Sequence, residues 1–377
     1  LYYIVNSIFF NLLQPNDEYA SGLHVTYDYP HEDKNRFQHG LEEVFPFSDI
    51  AATIHTLRLL SIAFGVITLI FVYKTAQLVF PTDRWLPLYT TAFVSLIPTF
   101  LYVNSILNSD VLVWTLSTIT FFFLFKFVNE PKRNKFVILT AIFATLAIST
   151  KANGLILIPI FLIAIGYLFI SKQISLQNVI TKLSLYGIFS IISISWLWVL
   201  RVKSNIDYTS SSLSEIVLAA FGFFQYNLVD SELVPTTGIG GIPGLIDSTE
   251  ITVINFGRLI DISFLHNRFI EFALGGFWWN TIWPPQIYFY IADIFLIFSI
   301  AGLILLIKKR NTMPELYLKK NHFVIIFSSI ILTLGYMYIN FFTVDLGIAR
   351  YYFPIIVMLG MIISLGLYVF GYDKKRL

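Results

Sequence analysis

The sequence predicts an all-α protein, a polytopic transmembrane helix bundle of about nine spans plus one interfacial helix. Three observations lead to this fold class. Apolar residues make up 56% of the 377 residues and charged residues only 13%, whereas a soluble domain has roughly 25% charged residues. The mean hydropathy is +0.72. Several apolar runs approach the ~20 residues that a helix needs to cross a bilayer.

The region before the first span is expected to lie outside the membrane core. Leu1–Leu13 is apolar but short for a span, so it suits a helix lying on the membrane surface, with Tyr2 and Tyr3 at the interface. A polar loop then runs to about Ile54. The chain begins without Met or a basic region before an apolar core, so we predict no signal peptide and expect further sequence upstream.

Nine apolar runs are long enough to be read as spans. They are His55–Phe80, Leu86–Val103, Asp110–Val128, Phe136–Thr150, Gly154–Ile170, Leu183–Leu200, Gln286–Leu306, Phe323–Phe342 and Tyr351–Phe370.

Four regions follow from these spans. Residues 1–54 form an exterior first loop with the juxtamembrane helix, and residues 55–200 form a six-span core. Residues 201–284 form an exterior loop or small subdomain. Residues 285–377 supply three C-terminal spans and a cytoplasmic tail.

The fourth and fifth runs could be one long helix or two short helices that turn at Lys151–Gly154. Charge decides between the two. With two helices, one membrane face holds sixteen Lys and Arg against four acidic residues, and the other holds nine against nineteen. With one helix, the basic segment Lys308–Lys320 would be exterior, which the positive-inside rule disfavours. We therefore predict two helices, and the turns at Asp110 and Lys151 fall on the exterior face.

Asp110 is the first candidate site residue. It lies within the stretch YVNSILNSDVLVW, between two apolar runs. An acidic residue at a membrane-embedded helix end is costly and therefore indicates function. The competing interpretation is a helix N-cap, because Asp there accepts backbone N–H bonds. One residue can do both.

Three cations are predicted at the same exterior level. Lys151 stands in STKANG, inside an otherwise uncharged stretch, Arg350 opens the last span, and Arg58 lies near the outer end of the first. Together they could bind the phosphate of a lipid headgroup through charge-assisted hydrogen bonds. Each alone is also explained by a long side chain that reaches the interface from a helix end.

The remaining motifs carry less information. Asp17 and Glu18 form a carboxylate pair that could supply a general base, or could simply start a solvated loop. The histidines of the first loop match no metal-ligand spacing. The glycine run at Thr237–Gly244 lacks the Lys-Ser/Thr of a phosphate-binding loop. There is no Cys, which excludes thiol chemistry, and no basic face for nucleic acid.

Several motifs, in order, resemble those of the GT-C superfamily of integral membrane glycosyltransferases, in particular the dolichyl-phosphate-mannose–protein mannosyltransferases and aminoarabinose transferases. LYYIVNSIFF is similar to the family's PPLYY segment, and SWLWVLRVKSN to its WWYxRN segment. VNSILNSDVLVWTLS resembles an exterior turn with an acidic residue, LAISTKANGLILIP a Thr-Lys turn, and ARYYFPIIV the family's GRYLFP.

The resemblance implies a transferase that moves a sugar from a polyprenyl- or dolichyl-phosphate-linked donor to a protein, lipid or glycan acceptor outside the cytoplasmic membrane. In the family a first-loop Asp deprotonates the acceptor hydroxyl, which attacks the anomeric carbon as polyprenyl phosphate leaves. Asp110 matches a second, supporting acid, and Lys151 and Arg350 match cations near the donor phosphate. The family's catalytic Asp-Glu pair precedes the PPLYY segment, so Asp17 and Glu18 do not match it, and the base is expected on residues upstream of Leu1.

Two other functions remain open. A transporter or flippase for a lipid-linked sugar would need polar groups at mid-membrane depth and internal repeats. A non-catalytic membrane protein would lack the upstream acid. No cofactor follows from the sequence, and a divalent metal ion is left open. Membrane lipids are expected partners, and nucleic acid is not.

Overall fold

The computed structural model describes residues 1–13, 45–47, 49–203, 286–309, 313, 316, 318–344 and 354–371. Within these ranges the chain is helical and contains no strand, which confirms the predicted all-α class. The α-helices are α1 Tyr2–Leu13, α2 Asp49–Val79, α3 Trp85–Ser95, α4 Pro98–Asn104, α5 Asp110–Asn129, α6 Asn134–Thr150, α7 Leu157–Ile170, α8 Leu176–Lys203, α9 Gln286–Lys308, α10 Lys320–Val344 and α11 Ile356–Gly371. A 3₁₀-helix at Ala152–Ile156 precedes α7.

Helix α5 is the centre of the bundle. Sixteen of its twenty residues are buried, as expected for a helix that is apolar on all sides. Three of its hydroxyl groups are satisfied within the helix, since Thr115, Thr118 and Thr120 each donate to the carbonyl four residues earlier. Helices α2 and α6 pack most extensively against it.

The predicted span Leu86–Val103 is not one continuous helix. The structure has two helices there, α3 and α4, which meet at a bend of 65°. Pro98 begins α4, and Ile97 before it is extended, with φ −67° and ψ 118°. A proline clashes with a helical conformation of the preceding residue and lacks the N–H of the helical hydrogen bond, so the helix breaks at this point.

The predicted break at Lys151–Gly154 is present. At one end of the bundle, Lys151 after α6 contacts Asp110 at the start of α5. At the other end, His322 of α10 bonds to Asn129 of α5 at 2.8 Å, and the segment after α7 reaches the same helix α10. That second contact joins the amides of Gln173 and Asn321 at 3.1 Å. Helices α5 and α7 therefore run in one direction and α6 runs back between them.

These contacts define two ends of the molecule. The site end holds Asp110 and Lys151, and the basic end holds the turns that contain Arg84, Lys132 and Lys172. Helix α2 runs toward the basic end, because Thr68 bonds to Thr115 at 2.9 Å and Phe71 packs on Phe122, with ring centroids 5.3 Å apart. Since α5 has twenty residues and a helix rises ~1.5 Å per residue, the ends are ~30 Å apart.

Five of the described helices are long and apolar enough to cross a membrane, and a sixth crossing follows if α3 and α4 form one bent span. Helices α1, α6, α10 and α11 contain shorter apolar segments. The structure therefore fits an integral membrane helix bundle, while the number nine stays a prediction. The subdomain predicted at 201–284 and most of the first loop lie outside the described residues.

Two C-terminal helices cross at glycines. A Cβ atom added at Gly302 of α9 would overlap the carbonyl oxygen of Gly366 of α11, and one added at Gly366 would overlap the Ser299 carbonyl oxygen. The Ser299 hydroxyl also donates to the Ile363 carbonyl oxygen at 3.2 Å. Such close backbone approach through small residues is typical of helix pairs in membranes.

Candidate functional site

Asp110 is the first residue of α5 and is fully buried. The N-cap position belongs to Ser109, whose side chain makes no capping bond. The Asp110 N–H instead donates to Oδ1 of Asn108 at 2.9 Å. The Asp110 carboxylate is thus directed to another helix, and the capping interpretation does not describe its role.

Lys151 is the partner of that carboxylate. Its Nζ donates to Asp110 Oδ1 at 2.5 Å, and 25% of the Lys151 side chain is exposed whereas none of Asp110 is. A buried carboxylate is costly unless it is paired and hydrogen-bonded. The lysine is therefore a specific ion-pair partner and not only a side chain that reaches the interface.

The α5–α6 hairpin brings the two residues together. A short turn at the basic end joins the helices, with the Arg133 N–H donating to the Glu130 carbonyl oxygen at 3.0 Å. Helix α5 has 20 residues and α6 has 17, so the start of one lies level with the end of the other. Lys151 leaves α6 in an extended conformation, with φ −159° and ψ 145°, and stands at this level.

The turn after Lys151 returns tightly over α6. A Cβ at Gly154 would lie 2.8 Å from backbone atoms of Ala147 and Ile148. The Gly154 N–H donates to the Lys151 carbonyl oxygen at 3.0 Å. Glycine is required here because any side chain would push the 3₁₀-helix away from α6 and move the lysine.

Helix α1 begins at the same end. The Leu1 nitrogen donates to the Ser149 carbonyl oxygen at 3.2 Å. The Tyr2 hydroxyl shares a hydrogen bond of 3.1 Å with Ser61 of α2, and Tyr2 is buried. The LYY segment therefore packs into the site end of the bundle through these two residues.

Arg58 is not joined to the ion pair. It is half-buried on α2, about one turn before Ser61. Across the residues that the structure describes, no hydrogen bond or ion pair links Arg58 to Asp110 or Lys151. Its predicted role at a donor phosphate stays a prediction.

Three other predicted site residues cannot be placed. Arg350, Asp17 and Glu18 lie outside the described residues, as do the histidines of the first loop. In the ranges that are described, no three His, Cys, Asp or Glu side chains lie together as a metal site would require.

One polar residue of this site was missed from the sequence. Asn153, two residues after Lys151, is only 3% exposed, and neither its Oδ1 nor its Nδ2 has a hydrogen-bond partner among the described residues. Buried amide groups are nearly always hydrogen-bonded. The sequence shows only that this amide lies two positions after the single charged residue of an apolar stretch. The burial of the amide could not be predicted from the sequence.

The comparisons with known proteins concern the same part of the chain. Residues 47–198 match the family model described as dolichyl-phosphate-mannose-protein mannosyltransferase. This match confirms the resemblance over α2 to α8, a segment that contains Asp110, Lys151, Asn153 and Arg58. No curated protein and no solved structure matches the chain. The apolar helices, together with this match, support an integral membrane protein, of which residues 47–198 are similar to a mannosyltransferase family of the GT-C type.

Proposed function

We propose that this membrane glycosyltransferase moves a sugar from a polyprenyl- or dolichyl-phosphate-linked donor to an acceptor hydroxyl at the exterior face of the cytoplasmic membrane. The observation that carries the proposal is the Asp110–Lys151 ion pair, which lies inside the segment that matches the mannosyltransferase family. A single buried carboxylate that holds one partly exposed lysine is suited to presenting positive charge to an anion.

Lys151 is proposed to bind the donor phosphate. The Lys151 ammonium donates to Asp110, and a quarter of the Lys151 side chain is exposed. A phosphate that approaches this exposed part meets a positive charge. When the bond between the anomeric carbon and the phosphate oxygen breaks, negative charge grows on the leaving phosphate. A fixed cation at that place stabilises the transition state more than the ground state.

Asp110 is proposed as a positioning residue. Its carboxylate is fully buried and held by Lys151, so it is poorly placed to take a proton from an acceptor. Its effect on the reaction is to fix the position of the Lys151 Nζ. The proton of the acceptor hydroxyl then goes to a different carboxylate.

Asn153 is proposed to hold a hydroxyl group of the substrate. A primary amide offers two donors and an acceptor, and a sugar hydroxyl can satisfy both kinds at once. The amide lies two residues from the cation that is proposed for the phosphate. A buried unsatisfied amide costs about 1–3 kcal/mol, and a bound substrate would remove this cost.

The exterior orientation rests on charge. The turns that contain Arg84, Lys132 and Lys172 lie at the end opposite to Asp110, and positive turns favour the cytoplasmic side. The lipid-linked donor would then enter from the outer leaflet beside the pair.

The competing function is translocation of a lipid-linked sugar without transfer. Asp293, which lies within α9, is the kind of residue that favours this alternative, because acidic residues inside spans often mark transport pathways. Proteoliposomes that contain the full-length protein and radiolabelled dolichyl-phosphate mannose separate the two functions. A transferase releases dolichyl phosphate only when an acceptor is present, and label appears on the acceptor. Label that changes leaflet but stays on dolichyl phosphate would contradict the proposal.

A further inference from the structure

A cavity lies at the basic end, between α3 and α11. It has a volume of about 750 Å³. Its lining includes Arg84, Trp85 and Tyr89 from the α3 side and Ser364 and Tyr368 from α11. It is separated from Asp110 by the length of α5, so it is no part of the site described above. Its α11 wall also lies outside the segment that matches the mannosyltransferase family.

Arg84 supplies the charge of this cavity. Its guanidinium group lies 5.2 Å from the centre of the Trp85 ring, and the residue is exposed. Within the described ranges no carboxylate lies at ion-pair distance from it. The adjacent Asp83 is engaged elsewhere, because its Oδ1 accepts the N–H groups of Trp85 and Leu86 at 2.8 Å each and so holds the start of α3. The guanidinium donors are therefore available to an anion.

The walls of the cavity are aromatic near Arg84 and apolar further along α3. Tyr89 and Tyr368 face each other across the two helices, with ring centroids 5.5 Å apart. Ala92, Phe93 and Leu367 continue the lining. Aromatic rings next to a cation followed by an apolar surface are typical of the headgroup level of a membrane.

Ser364 adds a polar group that is not used by the protein. It is 3% exposed, and its hydroxyl has no hydrogen-bond partner among the described residues. Some buried helical hydroxyls, such as those of Thr68 and Thr75, donate to the carbonyl four residues earlier. Ser364 is one of several buried hydroxyls without such a bond, and it is the one of them that lines this cavity. A buried hydroxyl without a partner is costly, and its position in the lining suits a ligand oxygen.

We propose that this cavity binds one anionic glycerophospholipid. Its phosphate bonds to Arg84, its glycerol and ester oxygens reach Ser364, and an acyl chain follows the apolar wall. Arginine binds phosphate bidentately, so a lipid with a net negative headgroup is preferred over a zwitterionic one of the same chain length. An inorganic phosphate would use only the mouth of a cavity of this size and leave its apolar wall uncovered.

Native mass spectrometry of the full-length protein, released from mixed nanodiscs, tests this. The nanodiscs contain equal amounts of phosphatidylglycerol and phosphatidylcholine with identical acyl chains. We expect one retained phosphatidylglycerol, at least about tenfold enriched over phosphatidylcholine, the ratio that corresponds to about 1.4 kcal/mol. Arg84→Gln should abolish the enrichment. Ser364→Leu, which fills the cavity, should reduce retention of both lipids.

The matched control is Lys74→Gln. Lys74 is an exposed cation near the same end, 5.5 Å from the centre of the Phe71 ring, and does not line the cavity. Its substitution should leave the enrichment unchanged. Equal retention of the two lipids by the wild-type protein, or equal loss in Lys74→Gln and Arg84→Gln, would overturn the proposal. Displacement of the lipid by millimolar inorganic phosphate would also overturn it, because the site would then recognise the anion alone.

Discussion

At the scale of single residues, the ion pair between Asp110 and Lys151 is expected to have a large effect on the free energy of unfolding. Its members are not interchangeable, because the carboxylate is fully buried and the lysine is a quarter exposed. Losing the lysine leaves a charge in the interior, whereas losing the carboxylate leaves a cation that can still reach water. The two single substitutions should therefore differ.

We predict that Lys151→Met lowers the free energy of unfolding by about 3 kcal/mol, the lower part of the range for breaking a buried pair. Asp110→Asn should have a smaller effect. The double variant should be more stable than Lys151→Met alone, because it also removes the buried carboxylate that has lost its lysine. Thermal unfolding of the purified protein in detergent measures all three, and strictly additive effects would show that the pair does not interact.

A second prediction concerns Asn153. Because its buried amide lacks a partner among the described residues, Asn153→Leu should leave the melting temperature unchanged or raise it. Sugar transfer should nevertheless fall at least tenfold, through a higher KM for the donor. A variant that is destabilised but has normal transfer would show that the amide is structural.

The site was only partly predictable from the residues. Asp110 and Lys151 were predicted at one level because the distribution of basic and acidic residues between the loops places both turns on one membrane face. The ion pair between them agrees with this prediction. Arg58 was expected at the same level because it lies near the end of a predicted span. Helix α2 begins earlier, at Asp49, so Arg58 lies within the helix, and its role stays a prediction. Asn153 was missed because burial of an amide depends on tertiary packing that no local pattern reports.

At the scale of elements, the observed helices differ from the predicted spans at a proline and at a run of polar residues. The Ile97-Pro98 step indicates a helix break. A continuous span was nevertheless predicted, because the residues around this step form one apolar run. Helix α8 begins at Leu176, seven residues before the predicted span. The polar residues of its first turns obscured the helix, although Lys182 is buried and donates to Asn134 Oδ1 at 2.9 Å.

The glycine crossing of α9 and α11 leads to a third prediction. Gly302→Ala should destabilise the bundle by at least about 1–3 kcal/mol, the usual cost of overpacking, because the new Cβ overlaps the Gly366 backbone. The matched control is Gly335→Ala in α10, where an added Cβ meets nothing within 4 Å. This control should be neutral or slightly stabilising, since alanine favours helix over glycine. Melting temperatures of both variants decide, and equal values would contradict the close approach.

At the scale of the whole molecule, the asymmetry of charge should set the orientation in the membrane. The 377 residues contain no cysteine, so none of them adds background to a single introduced cysteine. Ser105→Cys at the site end should react with a membrane-impermeant maleimide in intact cells, and Lys132→Cys at the basic end should react only after permeabilisation. Both positions are exposed. The opposite labelling pattern would reverse the topology and place the ion pair on the cytoplasmic side.

The fold class and the direction of the helices in the core could be predicted because apolar length and charge parity are properties of the sequence itself. The number of crossings could not, because α6 and α11 have 17 and 16 residues, fewer than the ~20 that a straight crossing requires. Whether they span depends on tilt and on neighbours, which are set by packing.

The central claim is that Lys151 stabilises a leaving lipid phosphate, and sugar transfer by the full-length protein in proteoliposomes tests it most directly. Dolichyl-phosphate mannose is the donor, and Lys151→Ala is compared with Lys151→Arg and with Lys126→Ala, a half-buried cation at the basic end. We predict that Lys151→Ala lowers kcat by about 100-fold, as removal of one transition-state donor does, while Lys151→Arg retains part of the activity and Lys126→Ala retains all of it. Transfer by Lys151→Ala at the rate of the wild-type protein would contradict the account.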